Sequence, residues 1–255
     1  MIRYSACIEM LFTNLPLLER IDAAAAVGAS AVEFWGFDGK DVPAIFRRAR
    51  ALGLEVGTFA CGVPLTDAAR TEASVARLHQ AIAVAGENGL RDVIVTTGNR
   101  LPDRPADEQE ASVVRALAAA APAAAAAGVR LNIELLNTLV DHAGYFLNET
   151  ALAARIVETV GSESVRVLYD IYHMQIEEGN LIATIRRYLP HIGYFHIADV
   201  PGRFQPGTGE IHYRNVMAAI EEAGWDGFAG LEFRPKGGAE HSAPALRSAL
   251  AILRG

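Results

Sequence analysis

A recurring stop signal constrains this chain more than any other feature. Alanine-rich helical segments end at Gly28, Gly53, Gly89, Gly128, Gly161 and Gly224, and an apolar run follows each glycine within a few residues. Glycine just past a helix closes the last turn in the left-handed conformation, so each one marks a helix end. Pro190 supplies the stop in the one unit without such a glycine. The order strand, loop, helix, stop is therefore constant, although the unit length is not. Strands are expected over 3–9, 31–35, 54–61, 92–97, 130–136, 165–171, 192–198 and 228–233. Helices are expected over 17–27, from 42, over 67–87, from 106, from about 148, and over 180–188, 213–223 and 243–253. In the second of these, Val42, Ile45, Phe46, Ala49 and Leu52 carry the helical period. Asn148 is placed as the N-cap of the fifth helix, and Pro122 is expected to kink or restart the alanine tract.

Eight strand–helix units with short connections argue for a parallel sheet with helices outside it. Eight units favour closure into a (β/α)8 TIM barrel, a fold of typically about 250 residues. The 255-residue chain reads as one such α/β domain over 1–255. No GxGxxG follows the first strand, so no nucleotide or other organic cofactor is expected; GTG at 207–209 comes late and reads as a turn.

Charge and cysteine usage narrow the partners. The net charge is −7, and no Lys/Arg run is present to attract a nucleic-acid backbone. No apolar run has the length of a membrane span, the longest alanine-rich stretch being broken by Pro122, and the N-terminus lacks the long apolar stretch of a signal peptide. The two cysteines, Cys7 and Cys61, both fall in expected strands and read as buried thiols of a reducing compartment. The expectation is a cytoplasmic protein acting on a small molecule, without nucleic-acid or membrane partners; a homo-oligomer is compatible with it.

Strand parity then points to a site. Side chains alternate along a strand, so apolar positions packed against helices leave their neighbours facing the barrel interior. In strand five Ile133 and Leu135 face outward and turn Asn132 and Glu134 in; in strand six Val167 and Tyr169 leave Leu168 and Asp170 inside. Strand seven directs Tyr194 and His196 inward, and strand eight directs Gly230 and Glu232 inward. Four consecutive strands thus each deliver one ionisable group near the C-terminal end, where barrel enzymes place their chemistry. Three carboxylates crowded in a low-dielectric interior repel unless a cation lies among them. An arginine for each acid, or a solvated rim, is the alternative for any one residue; matching parity on adjacent strands favours a shared ion. The oxygen-rich donor set suits one Mg²⁺ or Mn²⁺.

These residues carry a resemblance. The stretches 169–175 (YDIYHMQ), 196–213 (HIADVPGRFQPGTGEIHY) and 231–235 (LEFRP), with a looser match at 132–137 (NIELLN), resemble the xylose-isomerase-like TIM barrels and, within them, the hydroxypyruvate isomerase group. The resemblance covers essentially the whole chain. It implies that Glu134, Asp170, His196 and Glu232 bind one divalent metal, that Glu134 and Glu232 form the acid/base pair, and that His173 and Arg203 meet the substrate. It implies an aldose–ketose isomerisation through a cis-enediolate, hydroxypyruvate giving tartronate semialdehyde. One departure is informative. Typical hydroxypyruvate isomerases carry glutamine at the position of His196, whereas the ketose 3-epimerase and inosose-isomerase branches carry histidine. A ketose 3-epimerase, an inosose isomerase and a 2-oxo-tetronate isomerase are therefore alternatives with the same site. An apurinic-site endonuclease, which needs several metals, is disfavoured by the acidic charge, and a non-catalytic ligand-binding barrel is the alternative outside enzymes.

Neighbouring residues have supporting readings. Arg203, in a Pro/Gly-bounded loop after strand seven, is placed to clamp a substrate carboxylate, and His173 to orient a substrate oxygen. Asp199 is expected to orient Arg203 or His196 from behind, and Glu210 to assist similarly. Glu33, Trp35 and Tyr145 fit pocket lining and ordinary packing equally well, and His142 is left unassigned near the mouth of the site.

Overall fold

The structure is a computed structural model that describes residues 1–255. Eight parallel strands close in sequence order: β1 (Arg3–Cys7), β2 (Ala31–Phe34), β3 (Glu55–Gly62), β4 (Asp92–Thr96), β5 (Arg130–Glu134), β6 (Val165–Asp170), β7 (Ile192–Ile197) and β8 (Phe228–Leu231), with β8 pairing back onto β1. The helices are α1 (Leu17–Ala26), α2 (Val42–Ala51), α3 (Thr71–Asn88), α4 (Ala106–Ala127), α5 (Thr150–Val160), α6 (Ile171–Glu177), α7 (Leu181–Tyr188), α8 (Tyr213–Glu222) and α9 (Ser242–Arg254). This is the (β/α)8 TIM barrel that the strand–helix repetition implies. The six punctuating glycines all stand at positive φ; Gly128, at φ 66°, ends α4 in the left-handed conformation with its N–H on the Ala125 carbonyl.

The parity argument describes the barrel interior. Ala31, Ile94, Leu168, Tyr194 and Phe228 pack together inside the barrel, while Val167, Tyr169, Phe195 and Ile197 join the larger core between strands and helices. Asn132, also inward, donates to the buried Asp92 at 2.9 Å, and Arg130 holds the same carboxylate through two hydrogen bonds. The interior is therefore a stack: a polar floor, an apolar layer, and above it the strand ends that bear Glu134, Asp170 and His196. Gly193 on β7 lets that floor close, since a Cβ there would collide with the Asn132 side chain and lie 2.8 Å from Arg166 Cβ.

Two local expectations are corrected, and one helix is added. Pro122 does not restart its helix: α4 runs through it. Pro122 and Ala118, whose carbonyl loses its helical donor, both lie on the exposed face, where that carbonyl is open to solvent. By length and hydropathy α4 could cross a bilayer, yet Val113, Ala116, Leu117, Ala120 and Ala124 are buried within the fold. Asn148 does not cap α5. The N-cap position is Glu149, and the free N–H of Thr150 is taken instead by the Glu178 carboxylate at 2.7 Å. Finally, α6 follows β6 without a break, a helix absent from the sequence reading.

Candidate active site

Short strands decide where the four inward groups end up. Glu134 is the last residue of β5, Asp170 the last of β6, His196 the penultimate residue of β7, and Glu232 the first residue beyond β8. Register aligns Asp170 with His196, while Glu134 pairs with Leu168 and His196 with Gly230, one inward position short of Asp170 and of Glu232 respectively. One donor atom from each of Glu134, Asp170, His196 and Glu232 lies within 4.8 Å of the others, and all four residues are buried. His196 Nδ1 sits among the acids: 2.9 Å from Glu134 Oε1, 3.3 Å from Glu232 Oε2 and 3.8 Å from Asp170 Oδ2.

The electrostatics of this cluster follow from acids gathered out of water beside His196 and Arg203. Burial pushes the Asp170 carboxyl up to about 7, with His196 and Arg203 acting in the opposite direction. His196 is raised well above the ordinary imidazole range: burial opposes its charge, but Glu232, Glu33 and Glu134 outweigh it. Burial would raise Glu232 too, yet Arg203 and His196 hold it below the carboxylate range. Three acids with one imidazole, gathered out of water, fit a divalent ion by geometry and by donor chemistry.

Arg203 occupies a position the sequence did not specify. Its Nη2 is hydrogen-bonded to Glu232 Oε2, so the guanidinium serves the cluster itself. Its backbone stands at φ 57°, a region L-residues seldom adopt, and Arg234 N–H fastens its carbonyl at 2.7 Å. Arg203 Nε is buried without a hydrogen-bond partner, which leaves a donor unspent. Trp35 Nε1 donates to the other oxygen of Glu232, Oε1, at 2.6 Å. Glu232 is thereby held from both sides.

His173 lies on the first turn of α6, whose N-cap is Asp170: Asp170 Oδ1 accepts from His173 N–H at 3.0 Å. One acid thus ends a strand, joins the cluster and aims the next helix. Asn137 N–H donates to His173 Nδ1 at 3.2 Å, which assigns the ring proton to Nε2. Burial, followed by the Arg203 charge, keeps the imidazole neutral. Nε2 is buried and unpartnered, 3.7 Å from Asp170 Oδ2. Above the cluster opens a cavity of about 270 Å³, lined by Trp35, Ile94, Glu134, His142, Arg203 and Glu232 among others. His142, unassigned from sequence, belongs to this wall and packs 5.2 Å from the His173 ring.

Asp199 is a correction. Its side chain touches neither Arg203 nor His196. Instead Oδ2 accepts from the N–H groups of Gly207, Thr208 and Gly209, and Oδ1 from those of Val200 and Ile211. The GTG segment is an anion-binding turn whose anion is this internal carboxylate. Asp199 therefore shapes the loop that carries Arg203, with its own N–H on the Phe204 carbonyl. Glu210 is exposed and meets Gln175 rather than the cluster. Tyr145 braces strand ends, its hydroxyl accepting from Thr97 N–H and donating to the Glu134 carbonyl.

A pH effect follows from Asp170. Its folded carboxyl titrates near 7 against an ordinary value of 3.8, so the folded state binds the extra proton between these limits. Stability of metal-free protein should therefore fall as pH rises through that window. Asp170→Asn, which can still cap α6, is expected to flatten this part of a chelator-treated Tm-against-pH curve; an unchanged slope would assign the loss elsewhere.

Comparison with known proteins places the chain in a family. The family model for xylose isomerase-like TIM barrels matches residues 21–254. A 2-oxo-tetronate isomerase of Cupriavidus necator is 35% identical over 248 residues, covering 92% of this chain and 94% of that protein. The hydroxypyruvate isomerase of Escherichia coli is 30% identical over 249 residues, covering 92% and 95%. Among solved structures, an AP endonuclease of family 2 from Brucella melitensis superimposes with a TM-score of 0.90 at 26% identity, over 100% of this chain and 98% of that one. A 3-keto-D-glucoside 4-epimerase from E. coli gives 0.84 at 25% identity, over 100% and 99%.

Proposed function

The chain belongs to the xylose isomerase-like TIM barrel family, and on that basis we propose that it is a divalent-metal-dependent isomerase of a small hydroxy-keto acid, interconverting hydroxypyruvate and tartronate semialdehyde. The observation that carries this reading is the meeting of Glu134, Asp170, His196 and Glu232 under a cavity that also receives Arg203. Those four residues would hold Mg²⁺ or Mn²⁺. When bound, the ion supplies Lewis acidity that makes the C–H beside a carbonyl easier to ionise.

The chain's own groups supply the rest. Glu134 and Glu232 come from β5 and from the end of β8, so their carboxylates approach the cavity from two sides. One takes a proton from the hydroxymethyl carbon of hydroxypyruvate, leaving an enediolate. A proton returned to the former carbonyl carbon, with the hydroxyl proton moving between the two oxygens, gives tartronate semialdehyde. His173 is buried behind the cavity wall, its unpartnered Nε2–H beside Asp170, and would donate to a substrate oxygen that reached the cluster; Arg203, in the wall itself, would offer Nε to the carboxylate. Trp35 and Arg203 keep Glu232 ionised and in place.

A second reading keeps this chemistry and lengthens the substrate by one carbon: 2-oxo-tetronate, favoured by the 35% identical relative of that name. The two buried free thiols accord with the reducing cytoplasm in which the reaction is placed. Assay of hydroxypyruvate, 2-oxo-tetronate, fructose, tagatose and inosose, with Mg²⁺ or Mn²⁺ and with chelator, tests the proposal. Turnover of an acid substrate that chelation abolishes is expected; turnover confined to neutral ketoses, or unaffected by chelator, would overturn it.

A further inference from the structure

Beneath the four-residue cluster lies a carboxylate that the reaction does not use. Glu33, on β2, is buried, with Oε1 at 3.4 Å from His196 Nε2 and Oε2 accepting the Tyr194 hydroxyl at 2.7 Å. The two nitrogens of His196 face different groups: Nδ1 is hydrogen-bonded to Glu134 Oε1 at 2.9 Å with Glu232 and Asp170 beside it, while Nε2 faces Glu33 and has no hydrogen-bond partner. The surrounding strands make room for this acid. A Cβ on Gly230 would collide with both Glu33 oxygens, and a Cβ on Gly57 would lie 2.7 Å from the Tyr194 hydroxyl. Inward positions of β2, β3, β7 and β8 thus converge on one carboxylate, at a depth where an apolar side chain would be cheaper to bury.

We propose that Glu33 is a positioning residue for His196. When a divalent ion is bound, Glu33 would accept the Nε2–H that is now unpartnered, and so leave the Nδ1 lone pair facing Glu134, Asp170 and Glu232 for the ion. A neutral imidazole has one lone pair, and the partner of the other nitrogen decides which atom carries it. Glu33 is not itself a further ligand, because the imidazole ring stands between it and the cluster. Tyr194 fixes the free oxygen of Glu33, so the arrangement runs tyrosine, glutamate, histidine, ion.

This inference rests on the proposed metal site, and its test separates the two. Divalent affinity is measured by Mn²⁺ titration calorimetry on the full chain, in wild type, Glu33→Gln, His196→Gln and the double variant, with folding checked by circular dichroism. Glu33→Gln should weaken binding about 10- to 100-fold in the wild-type background and by no more than about twofold when His196 is already replaced. Equal losses in both backgrounds would reduce Glu33 to a nearby charge, and no loss in either would remove it from the site; both results overturn the positioning role. Failure of the wild type to bind Mn²⁺ would instead overturn the metal site. Should Glu33→Gln fail to fold, Tyr194→Phe replaces it in the same cycle, with a smaller loss that again disappears without His196.

Discussion

Glutamine in place of Glu232 is expected to lower kcat by about 10²- to 10⁴-fold on whichever acid is the substrate, the range a positioned acid/base group contributes. The substitution keeps the size of the side chain and an oxygen for Trp35 Nε1, so the fold and the Trp35 contact should survive. It removes the charge that Arg203 and His196 face, and with it the capacity to accept a proton from carbon. Glu134→Gln should produce a loss of the same order, because the proposed reaction needs a proton taken at one carbon and returned at the next. The check is kcat for each variant at saturating Mg²⁺ or Mn²⁺, with Tm showing an intact barrel. A variant at either position that retained more than about a tenth of wild-type kcat would remove that glutamate from the proton path.

The second large effect concerns Arg203. Arg203→Ala has two consequences that must be kept apart: Glu232 loses its guanidinium partner, and a substrate carboxylate loses a donor. The first penalises every substrate alike, whereas the second penalises only an acid. Truncating one partner of a buried, hydrogen-bonded charge pair costs about 2–5 kcal/mol, or roughly 30- to 4,000-fold. The loss in kcat/KM should therefore exceed that for any neutral ketose the protein accepts by about 10²-fold. Equal losses would mean that Arg203 acts through Glu232 alone, and would favour the epimerase reading over an acid substrate.

How much of this was legible in the sequence depends on the range of the interaction. Parity along β5 to β8 is a property of neighbouring residues, so the inward turn of Glu134, Leu168, Asp170, Tyr194 and His196 could be read from the apolar residues between them. Groups set by remote partners were not legible. Asp199 looks like a supporting residue for His196 or Arg203 from its place in the chain, but its partners are five N–H groups of a loop whose path the sequence does not dictate. Asn148 has the chemistry of an N-cap, yet its side chain is engaged by Arg100 and Glu177 while Glu178 caps α5 from across the fold. The seven residues of α6 are too few to show a helical period, and its start depends on the Asp170 side chain. Glu33 had one signal that went unread: an inward glycine on β8, Gly230, implies a large neighbour filling the space that its own side chain would have taken.

All of these expectations descend from the claim that Glu134, Asp170, His196 and Glu232 share one ion. Crystals grown with Mn²⁺ and measured on either side of the manganese absorption edge test it most directly. The account predicts a single strong anomalous peak enclosed by Glu134, Asp170, His196 Nδ1 and Glu232, at distances of about 2.0–2.3 Å. An occupied peak ligated by other residues, or none within the barrel mouth at saturating Mn²⁺, would contradict it.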